Sequence, residues 1–361
     1  MSTTPRYSFA LTMGLSLLPV FLSAQGLASY EPRNRTVLIE QFCGVANNNS
    51  PSAESEIDEL GATWPGKVVI VRAHAGVFAA PLGDDLDLRN GSASGIHEEF
   101  QVNFTPSALI NRSSFDSWML LIGDQWEPAT EVQLALASPV NLGMETIFDP
   151  DTRQLTITVE LFYTANGTGG ADRISVFVKE DHLLADQLDN TSTPPLVEDY
   201  DHQHVLRTYV TDLWGEEVPQ TDSGTTVLRT YSYTIPEDWN VENCSVVAYV
   251  SEYKGTIYQV REFPATGGST VNLEEKEAGA LGDVRFQIHG TTLEVQFAEM
   301  TSTPLRLVLY DASGRQVHEH RIVTGTMNHR ASTDALATGV YLCTLHDGVD
   351  MVSKRVVLMD H

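Results

Sequence analysis

The side chains best suited to redox chemistry in this chain are three cysteines, Cys43, Cys244 and Cys343. They are far apart in the sequence, so no two of them form a Cys-x-x-Cys pair or have the spacing of zinc ligands. In an exported protein an odd count leaves at least one thiol unpaired. We expect three small, buried, unreactive side chains. A Cys43–Cys244 disulfide is the alternative.

Cys43 lies in a segment, residues 37–51 (VLIEQFCGVANNNSP), that passes from an apolar run through a turn into an acidic, helix-like stretch. Where a strand ends in a turn and a helix begins, the helix N-terminus lowers the pKa of a cysteine in the turn. The two positions that a Cys-x-x-Cys pair would occupy hold Asn47 and Ser50. Amide and hydroxyl groups cannot cycle between dithiol and disulfide, so we expect them to accept hydrogen bonds from free N–H groups of the helix.

Two histidines are candidate metal ligands, because His202 and His204 alternate by two and would share one face of a strand. His182 or Asp201 could approach as a third ligand. Structural hydrogen bonding is the favoured interpretation.

An acidic loop offers a candidate calcium site at Asp84, Asp85 and Asp87. The loop lacks the spacing and the closing Glu of an EF-hand. We therefore expect a solvated acidic surface, and we assign neither a metal nor a cofactor.

Residues 31–138 alternate predicted strands and helices, which indicates an α/β sheet covered by helices. The predicted strands are 37–41, 67–72 and 107–111, and the predicted helices are 52–60, 93–100 and about 125–137. In the last helix the apolar spacing predicts a core-facing side. That side consists of Trp126, Ala129, Val132 and Leu136.

The pattern changes at Pro139, after which only alternating stretches separated by Gly, Pro, Asn and Asp clusters occur. Residues 139–263 therefore predict an antiparallel, immunoglobulin-like β-sandwich. Residues 264–280 are Gly-rich and then charged, as in a linker. Residues 281–361 are again all β and predict a small sandwich. The predicted fold class is multidomain, α/β plus all-β.

The net charge of −26 is concentrated in the middle of the chain, where residues 25–280 carry −25. Such a surface repels phosphate backbones and anionic lipid, which argues against nucleic-acid binding and favours cationic partners.

The first 24 residues predict a cleaved signal peptide. Arg6 precedes an apolar run at 9–22 that is too short and interrupted to span a bilayer, and cleavage is expected after Ala24. No later segment is apolar for long enough to cross a membrane, so the mature chain should contain no transmembrane segment.

Residues 37–51 and 97–112 (HEEFQVNFTPSALINR) together resemble the twenty-eight-kilodalton outer-membrane-protein family of Bacteroidetes. The resemblance implies a thioredoxin-like domain over 31–138, with Thr105-Pro106 as its cis-proline corner. It continues through 202–207 (HQHVLR) and 214–215, and through 238–239, Asn243 and 246–248 of the sandwich. This sequence departs from the family at Asn47 and Ser50, where the family has its cysteines, so redox activity does not carry over.

The tail resembles the C-terminal sorting domain of cargo of the type IX secretion system. Three pieces carry the resemblance, 307–315 (LVLYDASGR), 336–342 (LATGVYL) and 354–357 (KRVV). It implies passage through the outer membrane with the type IX secretion machinery as partner, over residues 281–361. The expected sorting residues are Gly314, Arg315, Gly339, Tyr341 and Lys354.

These features predict a non-catalytic, exported protein, at the cell surface or secreted, that binds an unknown surface protein or peptide through a redox-inactive scaffold. A groove beside Pro106 could pair with an extended peptide through backbone hydrogen bonds. Two alternatives stay open: a thiol-disulfide oxidoreductase that uses Cys43, and a surface protein that binds calcium or another metal.

Overall fold

The computed structural model describes residues 26–167, 171–219, 221–269, 284–289, 292–298, 300–311, 316–336, 339–346 and 351–358. The described chain forms two compact units. The first is Gly26–Glu275, and the second contains the described residues from 284 onward. The predicted signal peptide, residues 1–24, lies outside the described residues.

The described part of the first unit contains three α-helices and fifteen strands. The helices are α1 (Ser50–Thr63), α2 (Gly91–Glu99) and α3 (Trp126–Ala135). The strands are β1 (Val37–Cys43), β2 (Val68–His74), β3 (Ser107–Ile110), β4 (Leu120–Leu121), β5 (Val140–Asp149), β6 (Gln154–Tyr163), β7 (Asp172–Glu180), β8 (Leu183–Leu188), β9 (Leu196–His202), β10 (Val205–Tyr209), β11 (Glu216–Val218), β12 (Thr226–Thr234), β13 (Cys244–Ser251), β14 (Ile257–Pro264) and β15 (Gly267–Ser269).

A mixed sheet dominates the first unit, with the strand order β14-β13-β7-β10-β2-β1-β3-β4 and β11 paired to β7. β1 runs parallel to β2 and antiparallel to β3, and β10 joins β2 to β7. A second, antiparallel sheet has the order β12-β6-β5-β15, and β8 and β9 form a separate hairpin. The described chain is therefore mainly β-structure in several sheets.

The side chains of β1 alternate between two cores, as a strand covered on both faces requires. Val37 and Ile39 pack with residues of α1 and α3. Leu38 and Phe42 pack on the opposite face with residues of α2. The apolar run at the start of β1 thus places helices on both sides of the sheet.

The mixed sheet also joins the α/β part of the chain to the all-β part. Phe177 and Val247, on β7 and β13, pack in the same core as α2. Their neighbours Val176 and Val246 point the other way, into the core shared with β5 and β6. The change of pattern at Pro139 therefore lies inside one compact unit, and the functional division of the chain at that residue stays a prediction.

A buried ion pair in the α/β part, through a hydrogen bond to Tyr249, connects that part to the all-β part. Arg112, directly after β3, donates from Nε and Nη2 to the two carboxylate oxygens of Glu40 on β1, at 2.7 and 2.6 Å. Both side chains are fully buried. Arg112 also donates to the Tyr249 hydroxyl on β13 at 3.1 Å, and its guanidinium carbon lies 5.3 Å from the ring centroids of Phe100 and Trp214.

Two sequence-based predictions about element ends are wrong. α3 stops at Ala135, so Leu136, which is extended, lies beyond the helix and is exposed. Val132 lies within the helix but is also exposed, because Thr130 and Gln133 rather than Val132 complete the buried face with Trp126 and Ala129. The predicted linker at 264–280 begins too early, because Gly267–Ser269 forms β15 and pairs with β5.

The described part of the second unit contains seven strands in two sheets. The strands are β16 (Val284–His289), β17 (Thr292–Phe297), β18 (Leu305–Asp311), β19 (Gln316–Ile322), β20 (Asn328–Ser332), β21 (Gly339–His346) and β22 (Met351–Leu358). The sheets have the orders β16-β17-β20 and β19-β18-β21-β22, and apolar residues from both, including Phe286, Leu307 and Leu345, form one core. No helix among the described residues of either unit has the length and apolar character of a membrane span.

Candidate functional site

The turn that follows β1 packs tightly against residues 77–79. A Cβ atom at Gly44 would lie 2.4 Å from the carbonyl oxygen of Phe78, so only glycine permits this approach. The Ala46 N–H donates to the same oxygen at 2.9 Å, and the Asn47 N–H donates to the Gly44 carbonyl at 3.0 Å. The backbone path into α1 is therefore set by close backbone contact.

Asn47 connects this turn to the loop before β3. Its Nδ2 donates to the Thr105 carbonyl at 2.6 Å, and its Oδ1 accepts from the Asn49 N–H at 3.0 Å. The peptide bond between Thr105 and Pro106 is cis. The structure thus brings Asn47 and Pro106 together across about sixty residues of chain, although a hydrogen bond already occupies the Thr105 carbonyl.

Ser50 is fully buried and bonds to the turn rather than to the helix. Its Oγ donates to the Gly44 carbonyl at 3.2 Å and accepts from the Gly44 N–H at 3.3 Å. The N-cap of α1 is Asn49, whose side chain makes no capping bond. The predicted capping role is therefore wrong for Ser50, which lies inside the first turn and bonds to Gly44. Asn47 lies two residues before the N-cap and accepts only from the N–H of the N-cap residue itself.

Cys43 ends β1 and is fully buried. Its Sγ lies 3.5 Å from Nε2 of His74. Burial, together with the nearby Glu54 carboxylate, raises the pKa of the Cys43 thiol well above its usual range. All three cysteines are free and buried, and burial raises the pKa of Cys244 and of Cys343 to about 12. The Cys43–Cys244 disulfide is not formed.

Buried polar groups lie near Cys43, and of these the sequence pattern singled out His202 but neither Glu54 nor His74. Burial raises the pKa of Glu54, whose Oε2 accepts from the Tyr200 hydroxyl at 3.0 Å. Burial lowers the pKa of His74 well below its usual value, and it lowers the pKa of His202 to about 4. Because their pKa values are lowered, both imidazoles are neutral at neutral pH. The two rings pack edge to face, with their centroids 5.3 Å apart. Glu54 lies in an acidic helical stretch, and such a stretch predicts a solvated helix face, so the sequence did not predict the burial of this side chain.

His202 and His204 do not share a strand face, so that part of the metal hypothesis is wrong. His202 ends β9, and the backbone turns through a φ of 59° at His204 before β10 begins. His202 packs on His74, whereas His204 has its Nδ1 3.0 Å from Nζ of Lys179 and 3.2 Å from Oδ1 of Asp181. A left-handed residue between two strands breaks the period-two rule.

The remaining metal candidates have other partners. His182 pairs with Asp201 at 3.0 Å on the surface, outside the turn. In the acidic loop, Asp87 pairs with Arg89 at 2.7 Å, and Asp85 accepts from the N–H of Asp186. Within the described ranges, no three or more His, Cys, Asp or Glu side chains are arranged to hold a metal ion.

Exposed aromatic and apolar side chains lie beside the Pro106 loop. Phe104, Trp118 and Ile122 are 45%, 66% and 48% exposed and line an open cavity of about 690 Å³. A tight turn presents the indole, because Phe115 and Trp118 exchange backbone hydrogen bonds of 2.7 and 2.9 Å. We call Phe104, Trp118 and Ile122 the aromatic patch.

Two carboxylates accompany the aromatic patch. Asp116 and Asp124 line the same cavity, and neither forms an ion pair within the described part of the chain. The cavity therefore combines apolar surface with uncompensated negative charge.

The structure places the expected sorting residues in the second unit only in part. Gly339 begins β21, Tyr341 is buried in it, and Lys354 lies on the paired strand β22. Gly314 and Arg315 lie outside the described residues.

Two family models match the chain, one of an outer membrane protein and one of a secretion sorting domain, and they define an exported protein of the outer membrane or cell surface. The first is the family described as Outer membrane protein Omp28, which matches residues 93–265. The second is the Secretion system C-terminal sorting domain, which matches residues 290–359 and implies handling by the type IX secretion machinery. Both resemblances noted in the sequence are thereby confirmed.

Two solved structures are among those similar to this chain. HBP35 of Porphyromonas gingivalis is 13% identical, with 91% of this chain and 99% of that chain covered and a TM-score of 0.53. A domain of the outer membrane lipoprotein Omp28 from the same organism is 22% identical over 35% of this chain and 86% of that chain, with a TM-score of 0.24. No curated protein sequence matches the chain.

The Omp28 match begins at residue 93, so the turn that contains Asn47 and Ser50 lies outside it.

Proposed function

We propose that this is an exported cell-surface binding protein whose thioredoxin-like domain, residues 31–138, cannot exchange disulfides. An immunoglobulin-like sandwich at 139–263 and the sorting tail at 281–361 complete the chain. One observation carries the proposal: Asn47 and Ser50 stand at the two redox positions, and both are tied into hydrogen bonds with Thr105 and Gly44.

The enzymatic alternative, a thiol-disulfide oxidoreductase that uses Cys43, has the opposite requirements. A reactive cysteine needs solvent access and a lowered pKa. Cys43 is fully buried and its pKa is raised, and no second sulfur is bonded to it. The metal-binding alternative gains no support from the contacts of His202, His204 or Asp85.

Thiol counting tests the redox assignment. With an aromatic disulfide reagent at pH 8, we expect no fast-reacting thiol in the native protein and three in denaturant, because all three cysteines are buried. Reduction of insulin disulfides should remain at the uncatalysed rate. Cys43→Ser is the matched variant: insulin reduction that this change abolishes would establish the oxidoreductase instead.

For the binding role, we propose the aromatic patch as the contact surface and an extended, cationic segment of a partner protein as its occupant. Exposed aromatic side chains supply most of the affinity in protein interfaces. The unpaired Asp116 and Asp124 carboxylates select positive charge. Because the Thr105 carbonyl already accepts from Asn47, side-chain contacts would replace the backbone pairing expected from the sequence.

Replacing Trp118 with alanine should weaken partner binding by roughly thirtyfold or more, since truncation of a central tryptophan typically costs at least about 2 kcal/mol. The measurement is binding of the purified chain to intact cells of the source organism, with Tyr253→Ala as control. Tyr253 is similarly exposed, at 57% against 66%, but lies outside the patch. Equal binding by both variants would exclude this surface.

A further inference from the structure

A second cavity, of about 960 Å³, lies in the first unit near the amino-terminal ends of β1 and β2, whereas the turn follows the carboxyl end of β1. Most of its wall residues come from three separate parts of the chain. These are the segment 33–36, the loop 64–67 before β2, and the end of β14 at 260–264. We call it the basal cavity.

Positive side chains line the basal cavity of this strongly acidic protein. Arg33, Arg35, Lys67 and Arg261 contribute four of the 22 basic residues in a chain that has 48 acidic ones. The acidic residue on the same wall, Glu262, is paired with Lys179 at 2.8 Å. Local charge in the cavity is thus opposite to that of the surrounding protein.

Two of these cations, Arg35 and Arg261, donate to neutral acceptors. Arg35 donates to Oε1 of Gln133 at 3.0 Å, and Arg261 donates weakly to the Val260 carbonyl at 3.4 Å. Arg35 Nε is buried and has no acceptor. Within the described ranges no carboxylate forms an ion pair with Arg35, Lys67 or Arg261. A buried donor without an acceptor costs free energy that a bound anion would recover.

Two of the positive side chains that line the cavity, Arg33 and Arg261, repel each other. Burial lowers the pKa of Arg261, and the positive charge of Arg33 lowers it further. Two guanidinium groups that repel one another in a partly buried site are stabilised by an anion placed between them.

The backbone that carries two of these arginines is fastened on both sides. The Arg35 N–H donates to the Leu136 carbonyl at 2.9 Å, and the Arg33 carbonyl accepts from Ser138 at 2.9 Å. On the other side, Thr36 Oγ1 donates to Oε1 of Gln259 at 2.7 Å. A site whose backbone is ordered in advance loses little entropy when it binds a ligand.

We propose that the basal cavity binds a small ligand that carries a phosphate or sulfate group. Guanidinium groups match the geometry of tetrahedral oxyanions with paired N–H donors. Trp64 and Phe263, also on the walls, provide apolar surface for the uncharged part of the ligand. The net charge of −25 over residues 25–280 disfavours long polyanions, so the ligand is a small molecule rather than a polymer.

Titration calorimetry and thermal unfolding of the purified full-length protein, at constant ionic strength, test this. The probes are inorganic phosphate, inorganic sulfate, glucose 6-phosphate, glucose and heparin. We expect binding of phosphate or sulfate, tighter binding of glucose 6-phosphate, and none of glucose. Phosphate without sulfate would assign a phosphorylated ligand, and the reverse a sulfated one. Tighter binding of heparin than of glucose 6-phosphate would overturn the assignment to a small ligand.

Arg35→Gln, Arg261→Gln and Lys67→Gln should each weaken the binding of glucose 6-phosphate, by roughly tenfold or more for the two arginines. Arg229→Gln on β12 removes the same charge away from the cavity and should change affinity less than about twofold. Lys67 is exposed, so its variant should fold even if an arginine variant does not.

One further readout separates a binding role from a structural one. If the role of Arg261 is to bind a ligand, ligand-free Arg261→Gln should unfold at a higher temperature than the ligand-free wild type, because the variant lacks the repulsion between Arg261 and Arg33. With phosphate the order should reverse. A lower unfolding temperature in both conditions, or unchanged affinity in all three cavity variants, would overturn the proposal.

Discussion

Replacing Arg112 with leucine is expected to lower the free energy of unfolding by about 3–5 kcal/mol, because the change leaves a buried carboxylate without its counter-charge. Glu40 is 2% exposed and has Arg112 as its bidentate partner. The variant also loses the hydrogen bond to Tyr249 and the stacking with Phe100 and Trp214. Urea unfolding at neutral pH measures the effect.

The double variant Glu40→Leu/Arg112→Leu separates the cost of an unpaired charge from the cost of lost contacts. Removing both partners avoids the buried charge, so we expect it to regain more than half of the stability lost in the single variant. Arg89→Leu breaks an exposed pair with Asp87 and should cost less than about 1 kcal/mol. A double variant no more stable than Arg112→Leu would show that packing of the arginine, not its charge, is what matters.

Introducing cysteines at the two proposed redox positions, with Asn47→Cys and Ser50→Cys, is expected to create disulfide exchange activity. The proposed thioredoxin-like turn leads directly into α1, and a helix N-terminus stabilises a nearby thiolate. The thiol introduced at position 47 should have a pKa near about 7, against about 8.5 for an ordinary cysteine. Insulin reduction with dithiothreitol, and alkylation as a function of pH, measure the gain.

The single variants are the matched controls, since one cysteine alone cannot complete the dithiol cycle. Cys43→Ser in the double-variant background should leave the new activity intact, because Cys43 is fully buried behind the turn. If the double variant folds, forms its disulfide and still fails to reduce insulin, the loss of function extends beyond the two substituted positions. The tie between Asn47 and Thr105 would then be the next contact to examine.

Local patterns in the sequence were enough to locate the core strands. The largely apolar stretches at 37–41 and 67–72 form β1 and β2, since a strand covered on both faces favours apolar residues at successive positions. They were not enough for helix ends, as α3 shows, because exposed Val132 and Leu136 continue the apolar spacing that burial would produce. Spacing alone cannot distinguish a buried apolar side chain from an exposed one.

The sequence identified the proposed redox-inactive turn only by the cysteines that it lacks. Asn47 and Ser50 were recognised by position, but their partners were not, because a capping bond and a bond to Gly44 or Thr105 use the same donors and acceptors. Glu54 and His74 escaped notice for a related reason. A charged residue in an acidic helix predicts a solvated face, and only packing against Cys43 and Tyr200 makes it a buried group.

By itself, the sequence determined where the strands lie, that no cysteine pair is available for dithiol exchange, and that the tail carries a sorting signal, because each depends on residues close together in the chain. The tertiary structure alone decided that one sheet runs through both parts of the first unit, that Arg112 joins Glu40 to Tyr249, and that Arg35 and Arg261 line one cavity. These contacts join residues at least 72 positions apart, and no local periodicity records which distant segments pack together.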